Sequence, residues 1–322
     1  MNVINKQNKA PAGTLACLAF LLFSGLSPAA EYEVSPGDNE SMIIGKLKPG
    51  DVLKVMPGVY TRQWTIQGLK GTADNPITIR GNTKEKAVGV NGASNGSSTA
   101  YLKFTKDAPV FRPSQGRDGI LIYGEGGEGS SHLIIEGLYF EDAARAGIVI
   151  NKSDHITVRN CMVRNCGKWG IQTVLSEYIV VEDCDISGSG LEHGIYFSTT
   201  DFPVAKGCRI YNNSGCGVHM NGDVSEGGDG VISRARIEKN VIFGNGKGGG
   251  AGINMDGVEK SLIQGNLIAH NLAGGIVVFR HSGGRVGASN EISGNIVYFG
   301  KEQGRFGLGL VALGAQGQMG MQ

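Results

Sequence analysis

The chain reads as an all-β solenoid, a single-stranded right-handed parallel β-helix of roughly 8–11 coils. Three observations predict it. First, a short phrase recurs at near-fixed spacing: Gly147-Ile-Val-Ile, Gly170-Ile-Gln-Thr, Gly194-Ile-Tyr-Phe, Gly217-Val-His-Met, Gly252-Ile-Asn-Met and Gly275-Ile-Val-Val, with successive starts 23, 24, 23, 35 and 23 residues apart. Second, another phrase keeps step with it: Asn160-Cys-Met-Val, Asp183-Cys-Asp-Ile, Gly207-Cys-Arg-Ile, Asn240-Val-Ile, Asn266-Leu-Ile and Asn295-Ile-Val. Third, each unit is rich in β-branched residues, punctuated by Gly and Asn, and no run is periodic at 3.6 residues. Strands that return once per turn must stack in parallel on their own copies.

Composition fits a solenoid. The 322 residues include 53 glycines and only 7% aromatics. Glycine carries no steric penalty at φ > 0, so this abundance suits many tight corners. A hydrophobic content of 40% with regular apolar spacing excludes a disordered chain. Length is no obstacle, because each coil touches only its neighbours.

Residues 1–30 are expected to be a signal peptide. Lys6 and Lys9 precede the apolar run Thr14 to Leu26, and Ser27-Pro-Ala-Ala offers small residues for cleavage. That run is short for a membrane span, so the protein is expected to be secreted, extracellular or periplasmic. Residues 31–322 would form one β-helix domain, a monomer. Without the leader, 28 basic residues face 29 acidic ones. Such balance supplies no basic field for nucleic acid.

Five cysteines follow the leader. Cys161, Cys184 and Cys208 recur at one coil position, which the repeated phrases equate with Leu138, Val241, Leu267 and Ile296. This predicts a buried ladder of small side chains, although stacked coils about 4.8 Å apart would also permit disulfides.

Taken in order, Lys48-Pro-Gly-Asp-Val-Leu-Lys-Val-Met-Pro-Gly-Val-Tyr60 and Gly71-Thr-Ala-Asp-Asn-Pro-Ile-Thr-Ile-Arg-Gly81 are each a turn leading into an alternating strand. These two phrases resemble the N-terminal coils of the pectate-lyase-like superfamily, particularly its alginate-lyase and chondroitinase-B branch. The later repeats resemble secreted right-handed β-helix repeat proteins. The resemblance covers about residues 45 to 300. It implies this fold and chemistry on polysaccharides, an activity that varies widely on one scaffold.

Residues 91–130 are the least regular, with short strands expected near Tyr101 and Ile120. Regular coils run over 132–300. Asn160, Asn240, Asn266 and Asn295 are expected at corners, where Asn tolerates the left-handed region and stacked amides can bond along the ladder. The Gly217 to Gly252 coil is about twelve residues longer, its extra length at Asn221 to Val231, and solenoid insertions often mark the binding face. Residues 301–322 read as an atypical or truncated end, with Gly307-Leu-Gly-Leu-Val starting one more coil.

Strand alternation locates the candidate site. Ile195 and Phe197, Val218 and Met220, and Ile253 and Met255 should point inward. One outward column then reads Val149, Gln172, Tyr196, His219, Asn254, Val277, and the next reads Asn151, Val174, Ser198, Asn221, Asp256, Phe279. Lys168-Trp169 and Glu192-His193 precede these strands; Asp223 and Arg280-His281 follow them. Polar groups concentrate in the middle coils, whereas a merely solvated face would be polar throughout.

β-Helix lyases and epimerases abstract the proton α to a uronate carboxylate, which needs a base, donors for the carboxylate and an acid for the leaving oxygen. On this resemblance His219 is the expected base, with Tyr196 or His193 as acid. Lys168, Trp169, Gln172, Glu192, Asn221, Asn254, Arg280 and His281 would line the path of a uronate-containing polysaccharide, Lys168 and Arg280 lying about 19 Å apart at opposite ends. Trp169 could equally cover the barrel. Asp223 and Asp256, with Glu226 or Asp229, could hold Ca²⁺ through oxygen ligands. Two rivals stay open: hydrolysis by a carboxylate pair (Asp223 with Asp256, or Glu192 with Asp256), and a non-catalytic carbohydrate-binding or surface-structural solenoid.

Overall fold

The computed structural model describes residues 28–81, 86–87, 101–102, 108–124, 129–279, 289–299 and 307–311. Most of the expected leader, and Arg280 and His281, lie outside these residues. Each regular coil supplies three strands. Asp154–Arg159, Met162–Arg164 and Trp169–Val174 make one coil, and each strand pairs in parallel with its counterpart one coil on. The first strand type builds a ten-stranded parallel sheet. The other two types build separate ladders that merge through Pro109–Tyr123, a 15-residue strand pairing with both Tyr139–Glu141 and Ala146–Asn151. Ile120 therefore belongs to a long strand rather than a short one. Tyr101–Leu102 is a short strand, paired antiparallel with Lys86–Ala87.

Corners are turned by single residues in the left-handed region. Gly137, Asn160, Asp183, Gly207, Lys239, Gly265 and Gly294 take positive φ at one corner, while Asp142, Asn165, Gly188, Asn212, Gly244 and His270 do so at the next. One residue per corner is enough to redirect the strand, and Asn or Asp bears the cost best after Gly.

The glycines of the Gly-Ile phrase have a different reason. None of the six has positive φ. A Cβ on Gly194 would stand 2.6 Å from Ile210 Cγ2, and one on Gly217 only 2.4 Å from Ile242 Cγ2. They are glycine because the strand passes too close to the isoleucines behind it.

The core is a set of aliphatic columns, with Ile148, Ile171, Ile195, Val218 and Ile253 wholly buried. All five cysteines after the leader are buried and free, with no disulfide between coils. Their column differs from expectation by one residue. Met162, Asp185, Arg209, Val241, Leu267 and Ile296 are in register, so Leu138, Cys161, Cys184 and Cys208 stack on Asn240, Asn266 and Asn295. The Cys208 N–H donates to Asn240 Oδ1 at 2.9 Å, and Asn240 Nδ2 donates to Asn266 Oδ1 at 3.0 Å. Asn160 is thus a corner residue, whereas Asn240, Asn266 and Asn295 form an inner amide ladder beginning where the thiols stop. A second inner ladder, Asn213–Asn245–Asn271, repeats the arrangement at the next corner.

At the N-terminal end the sequence predicts no helix, and at the other end it predicts one more coil. A short helix, Glu40–Ile44, buries Ile44 against the first coil. Leu308–Val311 pairs with Ile276–Phe279, so the extra coil begins as expected. Among the described residues no helix is long and apolar enough to cross a membrane.

Candidate functional site

Both outward columns form as alternation requires. Val149, Gln172, Tyr196, His219, Asn254 and Val277 are in register, as are Asn151, Val174, Ser198, Asn221, Asp256 and Phe279. The predicted inward residues Phe197, Met220 and Met255 are wholly buried. Stacking brings the rings of Tyr196 and His219 to 5.3 Å between centroids and those of His193 and Tyr196 to 5.2 Å.

The wall is less open than a sequence column suggests. Trp169 is buried against Ala146 and Val149, with Leu121 and Tyr196 packed beside it, so its ring covers the outer wall. Its Nε1 donates to Glu192 at 2.7 Å, and Lys168 Nζ lies 3.1 Å from the same carboxylate and 4.1 Å over the indole. Gln172 is buried between Val149 and Tyr196. Asn254 Oδ1 accepts from Ala251 N–H at 3.2 Å.

At the centre is a chain of directed hydrogen bonds. The Cys216 backbone N–H donates to His193 Nδ1 at 3.0 Å, and His193 Nε2 lies 2.9 Å from His219 Nδ1. A backbone amide can only donate, so Nδ1 of His193 is an acceptor and the ring hydrogen of the neutral imidazole sits on Nε2. That hydrogen is given to His219 Nδ1, which leaves the hydrogen of neutral His219 on its Nε2. Burial holds both rings neutral: it lowers His193 to about 4, helped by the Lys168 charge, and His219 to about 3, helped by His193.

His219 Nε2 and Asn221 Oδ1, both buried, have no hydrogen-bond partner. Asn221 Nδ2 donates to Tyr196 Oη at 3.0 Å. Burial raises the Tyr196 phenol above its usual range, and the Asn221 bond opposes that rise. Buried polar atoms without partners are rare in folded proteins. Two of them, on one rung, stand beside the Tyr196 phenol of the rung before.

The longer coil folds back over the wall. A 3₁₀ turn, Val224–Glu226, is capped by Asp223, whose Oδ1 accepts from Ser225 N–H at 2.8 Å. A Cβ on Gly228 would meet Thr199 Cγ2 at 2.7 Å, so the loop lies against the preceding rung. Its Glu226 charge, with that of Glu192, contributes to the upward shift at Tyr196. Asp256 is buried. Among the described residues, Asp223 and Asp256 join no group of three or more His, Cys, Asp or Glu ligand atoms within 4.8 Å of one another.

Sequence reasoning brought together Tyr196, His219, Asn221, His193, Glu192 and Lys168. It missed Cys216, whose contribution is a backbone N–H that no side-chain motif signals, and it placed Ser198 in a column without seeing its hydroxyl buried.

The profile of a family described as right handed beta helix region matches residues 69–249. Among solved structures, pectate lyase Pel9A superposes with a TM-score of 0.52 at 18% identity, covering 85% of this chain and 75% of that one. The A-module of the Azotobacter vinelandii mannuronan C-5 epimerase AlgE6 gives 0.51 at 14% identity, covering 88% and 80%. At such identities the likeness is one of fold. No characterised protein matches the chain in sequence.

Proposed function

Since this chain belongs to the right-handed beta helix family, we propose that it is an exported protein that binds a uronate-containing polysaccharide on its Tyr196–His219 wall and acts on it by β-elimination or C5-epimerisation. The observation that carries this reading is the buried, unpartnered Nε2 of a neutral His219. A proton α to a carboxylate is removed only if the charge developing on that carboxylate is taken up, and a fixed donor in a dry site does so at no reorganisation cost. His219 is such a donor. The lock at Cys216 makes it an acid-side group, so in this proposal it takes the carboxylate rather than serving as the base.

Tyr196 then carries the proton. As phenolate it takes the hydrogen from C5, the electron pair forms C4=C5, and the glycosidic oxygen leaves with the proton that the new phenol returns to it. In epimerisation water reprotonates C5 on the other face, the hydroxide so formed takes the phenol's proton and restores the phenolate, and no C–O bond breaks. Asn221 Nδ2 stabilises the phenolate, and Asn221 Oδ1 accepts a sugar hydroxyl. Lys168, Glu192 and Asn254 border the path of the chain. The fold likeness to a pectate lyase and a mannuronan epimerase is consistent with acidic sugars.

A panel of uronate polymers tests this. Ultraviolet absorbance from a C=C conjugated with carboxylate supports elimination, and an altered epimer ratio by NMR without cleavage supports epimerisation. New reducing ends without that absorbance would instead establish hydrolysis by paired carboxylates. Binding without turnover would establish a non-catalytic solenoid.

A further inference from the structure

A second group of titratable side chains lies away from this wall, at the corner leading into the ten-stranded sheet. His132 and His155 stack on adjacent coils with centroids 4.4 Å apart and planes 24° from parallel. His155 Nδ1 is 2.7 Å from Asp154 Oδ1. Ser131 and Asp154 are register partners, so all three side chains belong to neighbouring rungs of one corner. One ligand atom from each of the three residues falls within 4.8 Å of the others.

We infer that His132, Asp154 and His155 form a binding site for a borderline transition-metal ion, with Zn²⁺ as its natural occupant. Two imidazoles and a carboxylate are the donor set of open zinc sites, where water completes the tetrahedron. Ligand atoms about 3.4 Å apart suit Zn–N and Zn–O bonds near 2.1 Å, so the rings need only swing together by about an ångström. Calcium and magnesium demand oxygen ligands and are poorly served by imidazole.

The stack itself does not require this chemistry. Tyr178 and Phe202 continue the same ladder at 4.5 and 4.4 Å with no metal-binding nitrogen. Flat rings suffice for stacking. Glu177 and Asp201 continue the carboxylate column after Asp154, but the rings beside them bring no nitrogen, and the three-ligand group forms at the His132–His155 end. A groove lined by Ala73, Pro76, Leu133 and Tyr178 opens onto both histidines and gives an ion a way in. In the other three-ligand group, His193, Cys216 and His219, both nitrogens of His193 and Nδ1 of His219 are already spent on hydrogen bonds to each other and to the backbone. Bound at the corner, Zn²⁺ would clip two coils together.

Calorimetric titration of the full chain with ZnCl₂ and separately with CaCl₂ tests the site. The expected result is one Zn²⁺ bound per chain, no calcium uptake there, and a higher Tm with Zn²⁺. His155→Phe keeps a flat ring in the ladder but removes the ligand, and Asp154→Asn removes the carboxylate; each should weaken Zn²⁺ at least tenfold. Tyr178→Phe and Cys216→Ser should bind as the parent does. Absence of Zn²⁺ binding at millimolar concentration, unchanged affinity in His155→Phe and Asp154→Asn, or loss of binding in Cys216→Ser would each overturn the inference.

Discussion

His193 Nε2 stands 2.9 Å from His219 Nδ1, and the Cys216 N–H on the far side of the first ring decides which nitrogen holds the hydrogen. Through two imidazoles, one backbone amide sets the polarity of His219 Nε2. The pair behaves as a fixed donor whose direction cannot reverse without stranding an amide.

Removing that donor should be costly for turnover and cheap for folding. His219→Ala is expected to lower activity on uronate polymers by about a hundredfold or more, the usual penalty for losing one such donor. Circular dichroism should be unchanged, since the side chain points away from the core. Retained activity in this variant would remove His219 from the chemistry.

A second expectation concerns the pH profile. The donor form of His219 persists down to about pH 3, so titration of this ring does not shape the rate above that. The phenolate of Tyr196, its phenol raised by burial, should grow about tenfold per pH unit on the acid side of its pKa, and initial rates should climb toward alkaline pH with it. Tyr196→Phe should be inactive at every pH. A profile falling from neutral to alkaline pH would exclude Tyr196 as proton carrier.

Stability carries its own pH signature. His193 and His219 have lowered pKa values in the folded chain, so below the usual histidine value of 6.5 the unfolded chain binds protons that the folded chain refuses. Folding stability should therefore fall as pH drops from about 6.5 and level off only below the folded values. For His193 alone the loss is on the order of 3 kcal/mol. Thermal melts of the parent and His193→Gln should converge as pH falls from 7 to 4.

The Gly-Ile phrase can be tested at one atom. In Gly217→Ala the added Cβ meets Ile242 Cγ2 at 2.4 Å and the Gly252 carbonyl at 2.7 Å. Neither a neighbouring strand nor a packed isoleucine yields cheaply, and a loss of about 1–3 kcal/mol is expected in the denaturant midpoint. A neutral result would mean that the two ladders can separate.

Thiol chemistry checks the cysteine column. Burial pushes Cys166 and Cys216 up to about 12, and Cys184 also lies well above the ordinary range. Buried neutral thiols are poor nucleophiles. Cys161, Cys166, Cys184, Cys208 and Cys216 should resist a thiol reagent in the native protein and react together on unfolding; fast labelling of any one would show its coil open.

The repeat alone determined the solenoid, the inward columns and both outward columns, because side chains alternate with period two and a parallel ladder stacks each coil on its copy. Tyr196, His219 and Asn254 could be aligned by counting. What counting could not settle is register across corners of unequal length. The phrases set Asn240 beside Asn160, yet hydrogen bonding stacks Asn240 on Cys208, because positive φ at Lys239 rather than at Asn240 turns that corner. The role of His219 is decided the same way. Its donor form depends on the Cys216 amide of its own coil, reached only through His193 of the coil before, and a string of residue types does not say which atom of which turn will arrive there.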